Sequence, residues 1–151
     1  MLATSLQYLK SLSKISVSLL SLTVVMGSCS FAADLWIEPG STLTHLVFGM
    51  AYSPHTRHPI ALSSMTVQTA FTDKKSTQSL VWGMNPANPT EGYGPPVSSV
   101  VYGMVPNGYK PLHSMVPLEI GESYVVTILG NQGHHAAIKF VVRPNGIVER
   151  E

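Results

Sequence analysis

The pattern that most restricts this chain is a period of two. From Leu62 to Phe71, Met65, Val67, Thr69 and Phe71 fall on one side, and Ser64, Thr66, Gln68 and Ala70 on the other. That is the alternation of a strand with one face on a core and one in water. Shorter runs rich in Val, Thr, Ile and aromatic residues surround it, separated by Gly, Pro, Asn and Ser, and no window of helical period exceeds two turns.

Leu35–Ile37 reads as an opening strand ended by Pro39-Gly40, and Leu43–Met50 as a second with Leu46, Phe48 and Met50 on one face. Ser79–Met84 and Val97–Met104 are apolar on both faces, as central strands are. Between them Asn85–Pro96 holds four of the eleven prolines and reads as a loop. Tyr124–Leu129 and Ala136–Val142 predict a hairpin with Tyr124, Val126 and Ile128 facing Ile138, Phe140 and Val142, and a short end at Ile147-Val148 follows the turn Asn145-Gly146. About seven strands at this spacing predict an all-β fold, a single antiparallel β-sandwich of immunoglobulin-like or transthyretin-like type, with a small closed barrel as the other solution. Three strands share one pattern: Phe48-Gly49-Met50, Trp82-Gly83-Met84 and Tyr102-Gly103-Met104 each follow a polar and two aliphatic residues. Their unequal separations exclude a solenoid and predict a repeated packing solution, an aromatic in the core followed by a glycine that permits a bulge or close approach.

Ahead of the domain, Lys10 and Lys14 precede an apolar stretch from Ile15 to Val25 and then Gly27, Ser28, Cys29, Ser30, Phe31, Ala32 and Ala33. A cationic start, a short apolar middle and a small-residue end read as a signal peptide over residues 1–32, leaving the domain at 33–151. The stretch is too short for the roughly 20 apolar residues of a spanning helix. Cleavage after Ala32 places Ser30 and Ala32 where small residues are required. The second reading uses the single cysteine: Met26-Gly27-Ser28-Cys29 resembles the lipobox of bacterial lipoproteins, so Cys29 is a candidate for lipidation. Both send the domain to an oxidising compartment, periplasmic or extracellular, or anchored by lipid to the outer membrane. With no second cysteine it has no disulfide.

Of nine basic residues, Lys10 and Lys14 belong to the leader, leaving seven against eight acids. No basic stripe for nucleic acid is present, and a membrane is reached only through a lipid on Cys29. The candidate chemistry is therefore sparse. His55 and His58 share one loop, His134 and His135 a hairpin tip, and His113-Ser114-Met115 is a His-x-Met; with His45 these are the six histidines. Imidazole and thioether suit copper or nickel, whereas the plainer reading makes the histidines exposed loop residues and Met50, Met84 and Met104 core fillers. In a strand His134 and His135 would face opposite ways. The loops Asn85–Pro96 and Pro106–Pro111 each carry an exposed-looking tyrosine, Tyr93 and Tyr109, a way for a rigid scaffold to present a surface to a protein or small ligand; otherwise they are crossovers stiffened by proline. No Gly-x-Ser-x-Gly elbow or phosphate loop occurs, and without a thiol in the domain the expectation is a non-catalytic protein without cofactor.

The opening Ala33-Asp34-Leu35-Trp36-Ile37-Glu38-Pro39 resembles that of periplasmic β-sandwich proteins associated with nickel or cobalt uptake, with Ala33 where that family carries a histidine. Ile37–Thr42, His45–Phe48, Val81-Trp82-Gly83, Val101-Tyr102-Gly103, Pro106–Tyr109 and Leu118–Tyr124 look like the framework of small exported bacterial proteins and lipoproteins of unknown function. Pro117–Val126 with Phe140-Val141-Val142 is similar to the last two strands of immunoglobulin-like sandwiches, copper-resistance periplasmic proteins among them. These resemblances imply an exported binding or interaction module, or else a periplasmic copper or nickel carrier.

Overall fold

The computed structural model describes residues 31–53, 55–71 and 78–151; residues 1–30 of the leader, Cys29 among them, lie outside the described residues. The strands are β1 (Phe31–Ala32), β2 (Asp34–Ile37), β3 (Val47–Ala51), β4 (Ile60–Thr69), β5 (Leu80–Pro86), β6 (Pro96–Val97), β7 (Ser99–Val101), β8 (Tyr109–His113), β9 (Ser123–Gly130), β10 (His134–Val142) and β11 (Val148–Arg150). They form two packed sheets. The larger runs β1-β10-β9-β4-β5-β8, with β11 also on β10 and β6 on β4; the smaller is β2-β3-β7. All pairs are antiparallel except β1 with β10.

Alternation decides which face each strand buries. In β4, Met65 and Val67 are fully buried, while Ser64, Thr66 and Gln68 are half-buried. In the β9–β10 hairpin Tyr124 pairs with Phe140 and Val126 with Ile138, and all four point into the core. Two aromatic contacts cross between the sheets. Phe48 of β3 meets Phe140 of β10 at 5.8 Å, and Tyr102, just beyond β7, meets Trp82 of β5 edge-on at 5.5 Å. Tyr124 stacks on Phe140 at 5.5 Å, and its hydroxyl accepts the Glu119 N–H at 2.8 Å.

The shared aromatic-Gly-Met pattern resolves into three local solutions. Phe48 and Trp82 are buried with Met50 and Met84 two residues on, as a regular strand requires. Gly49 is where β3 is crossed by Trp36: a Cβ there would collide with the indole and with Glu38 Oε1. Gly83 lies under the Met65 carbonyl, and the register between β5 and β8 shifts immediately after it. Gly103 has φ +82, a left-handed conformation open to glycine, which ends the strand; Met104 therefore swings out and is 64% exposed, not a core filler.

Three further expectations are corrected. Val97–Met104 is not one central strand: β6 joins the larger sheet at β4, and after Ser98 the chain passes to β3 of the smaller sheet as β7. It is apolar on both sides because it serves two sheets in turn. The run Tyr109–His113, read as part of a loop, is an edge strand on β5, where Pro111 is tolerated because only one side of the strand is paired. Phe71 lies beyond the end of β4 and is 61% exposed, although its parity matches Met65 and Val67.

Two tyrosine hydroxyls, one on the buried Tyr109 and one on the half-buried Tyr102, couple the fold to pH. Burial pushes Tyr102 and Tyr109 above the ordinary value of 10.0, and as neutral groups they donate to the carbonyls of Val116 at 2.6 Å and Pro95 at 2.7 Å. The folded chain keeps protons that the unfolded chain releases, so this contribution is complete below pH 10.0 and is lost as pH rises above it. The urea midpoint should fall steeply above that pH, and Tyr102→Phe should flatten the fall. Gly49→Ala should lower stability by roughly 1–3 kcal/mol, read from urea unfolding, and shift the tryptophan emission as the indole leaves β3.

Candidate functional site

β2 is an edge strand of the smaller sheet, and β11 hangs on the edge of the larger one. The segments beside them are bridged, Thr42 to Ile147, and the Leu43 N–H donates to the Gly146 carbonyl at 2.8 Å. Beside this bridge the sheets part into an open groove of about 550 Å³, lined by Trp36, Ile37 and Glu38 on one side and Ile147, Val148 and Arg150 on the other.

Each wall has a local cause. Trp36 pairs with Gly49 across β2 and β3, and the missing side chain lets the indole lie against the sheet. Its Nε1–H donates to Glu38 Oε1 at 2.9 Å, and the Arg57 guanidinium stands 6.0 Å above the ring. Arg57 holds φ +48, a left-handed conformation uncommon outside glycine, in the turn that brings it there. Ile147 follows the Asn145-Gly146 turn, where Asn145 Oδ1 accepts the Ile147 N–H at 3.1 Å; the side chain stays 44% exposed. The groove thus combines an apolar lining with the carboxylate of Glu38 and the guanidinium of Arg150. Pockets that orient a ligand have this composition.

The tyrosines expected on loops part company. Tyr93 is exposed on its loop. Tyr109 is buried: its hydroxyl accepts the Leu62 N–H at 3.1 Å besides donating to Pro95, and Gly94 lies flat against its ring. The expected loop Asn85–Pro96 is shorter in the structure, since Asn85 and Pro86 end β5 and Pro96 begins β6; Tyr109 clasps residues 87–95 onto the sheet and presents nothing to a partner.

The histidines are distributed. His45 lies in the turn that bridges Thr42, and His55 and His58 are exposed between β3 and β4. Tyr52 ties that turn to the β9–β10 tip: its N–H donates to the His58 carbonyl, its hydroxyl to Asn131 Oδ1, and its ring meets His134 at 4.8 Å. His134 is half-buried and His135 exposed, on opposite faces as expected. His113 ends β8, and its Nδ1 donates to the Ser114 carbonyl at 2.6 Å. β8 is four strand positions from β10, roughly 19 Å at about 4.8 Å per strand, so His113 shares no site with His134 or His135. Among the described residues no three His, Cys, Asp or Glu side chains are grouped to hold a metal ion.

Sequence reasoning passed over the groove. Trp36 and Gly49 lie in readable strands, but their pairing and the approach of Ile147 and Arg150 from the far end of the chain leave no local signal. No family model, curated protein or solved structure matches this chain.

Proposed function

We propose that the protein is an exported, non-catalytic binding module of a bacterial envelope, an immunoglobulin-like β-sandwich that receives a partner in the groove between β2 and β11. The observation that carries the reading is the groove itself, apolar in its floor and flanked by two strand edges. A free edge beside an apolar recess suits an extended segment, which gains backbone hydrogen bonds from the edge and specificity from the recess.

Two features support the immunoglobulin-like assignment. The order β2-β3-β7 against β10-β9-β4-β5 follows A-B-E against G-F-C-C′ of such domains. Tyr124, at the start of the strand equivalent to F, takes a backbone N–H from five residues upstream, the arrangement known as a tyrosine corner.

Export rests on the leader, and the two ways of processing it have different consequences for the sheet. Phe31 and Ala32 pair with His134 and His135. A chain cut after Ala32 loses β1, whereas a chain that begins at Cys29 keeps it.

Ile147 is exposed and outside the core, so a photoreactive p-benzoylphenylalanine can replace it without loss of the fold. Irradiated in cells, the protein labelled at Ile147 should give a discrete adduct, and the same label at Leu129, 47% exposed on the larger sheet, should give none. No adduct at Ile147, or equal adducts at both positions, would contradict the groove as the binding face.

A further inference from the structure

We infer that Met115 is a redox-sensitive clasp, independent of the groove: hydrogen peroxide oxidises its thioether, and the sulfoxide loosens the hold of the chain just beyond β7 on Met115 and Val116. Of the five methionines from Met50 onward, Met50, Met65 and Met84 are wholly buried in the core, whereas Met104 and Met115 are 64% and 49% exposed. A dissolved oxidant reaches exposed thioethers first, so the fold leaves two candidates.

Met115 is held at its sulfur. Gly103 has φ +82 and no side chain, and a Cβ there would overlap Met115 Sδ, so the sulfur lies in the space the glycine leaves. The adjoining residues make a second tie, in which the Tyr102 hydroxyl donates to the Val116 carbonyl at 2.6 Å. The Val116 N–H in turn donates to the Val81 carbonyl at 2.9 Å, and the Tyr102 ring meets Trp82 edge-on at 5.5 Å. Tyr102-Gly103 thus grips Met115-Val116 and links it to β5. Met115 also lines an open apolar recess of about 350 Å³ with Leu43, Leu46, Tyr102 and Leu118, which gives a molecule as small as peroxide a way to the side chain.

In the reaction a sulfur lone pair attacks one peroxide oxygen. The S–O bond forms, the O–O bond breaks, and the departing hydroxide takes up the remaining proton and leaves as water. Sulfur loses two electrons and the peroxide gains them. The sulfoxide is polar and larger than the thioether, so it is disfavoured in the apolar recess and against Gly103, and the grip on Val116 weakens. A methionine sulfoxide reductase, with a dithiol as electron donor, restores the thioether.

The test treats the protein with hydrogen peroxide, maps sulfoxides by peptide mass spectrometry and follows backbone amide exchange. Met104 and Met115 should oxidise at least about tenfold faster than Met50, Met65 and Met84. The Val116 amide should then exchange about five- to tenfold faster, and return to its original rate after the reductase. Met115→Leu keeps an apolar side chain against Gly103 and has no sulfur to oxidise, so peroxide should leave its Val116 amide unchanged, whereas Met104→Leu should respond as the parent does. The proposal is overturned if Met115 oxidises no faster than the buried methionines, if its sulfoxide leaves Val116 exchange unchanged, if Met115→Leu loosens to the same extent, or if Met104→Leu abolishes the response.

Discussion

The two sheets are held together where Phe48 meets Phe140. Antibody domains place a disulfide between their two sheets, and here the sequence has a single cysteine, Cys29, ahead of the sheets. Burying each phenylalanine contributes about 1.5–3 kcal/mol, and a well-placed aromatic pair about 0.5–1.5 kcal/mol more. Counting only that pair increment, the Phe48–Phe140 and Trp82–Tyr102 contacts together add roughly 1–3 kcal/mol, which overlaps the roughly 2–4 kcal/mol typical of a disulfide. Packing can therefore replace the cross-link, provided that the core stays closed.

That closure decides where function can be placed. β8 is an edge of the larger sheet, and Tyr109 pins the neighbouring loop to it. At the other margin of the larger sheet, Thr42 bridges Ile147 just beyond β2 and just before β11, and the opening beside this bridge is the groove. The closed core positions the groove and shares Val148 with it.

The strands were legible wherever alternation and turn residues agreed. The β9–β10 hairpin and β4 follow from period two, and β5 from a run apolar on both faces, each bounded by turn residues. Periodicity reports burial but not partners, and for that reason the switch of sheets at Ser98 read as one continuous strand. Tyr109 was misjudged because Pro and Gly around it signal a loop, whereas its hydroxyl satisfies buried backbone groups. Phe71 shows the converse error, since correct parity does not bury a residue beyond the last paired one. The histidines are conspicuous in sequence, but strand order sets them apart; Trp36 and Ile147 are inconspicuous, and folding brings them to one groove.

If the Phe48–Phe140 contact couples the sheets, they should open as one unit, and native-state amide hydrogen exchange reads this directly. The account predicts that core amides in β3, at Phe48 and Met50, exchange with the same free energy as those of Val126, Ile128 and Phe140, equal to that of global unfolding. Exchange of β2, β3 and β7 at a distinctly lower free energy, while β4, β9 and β10 remain protected, would show that the smaller sheet opens alone and would contradict the account.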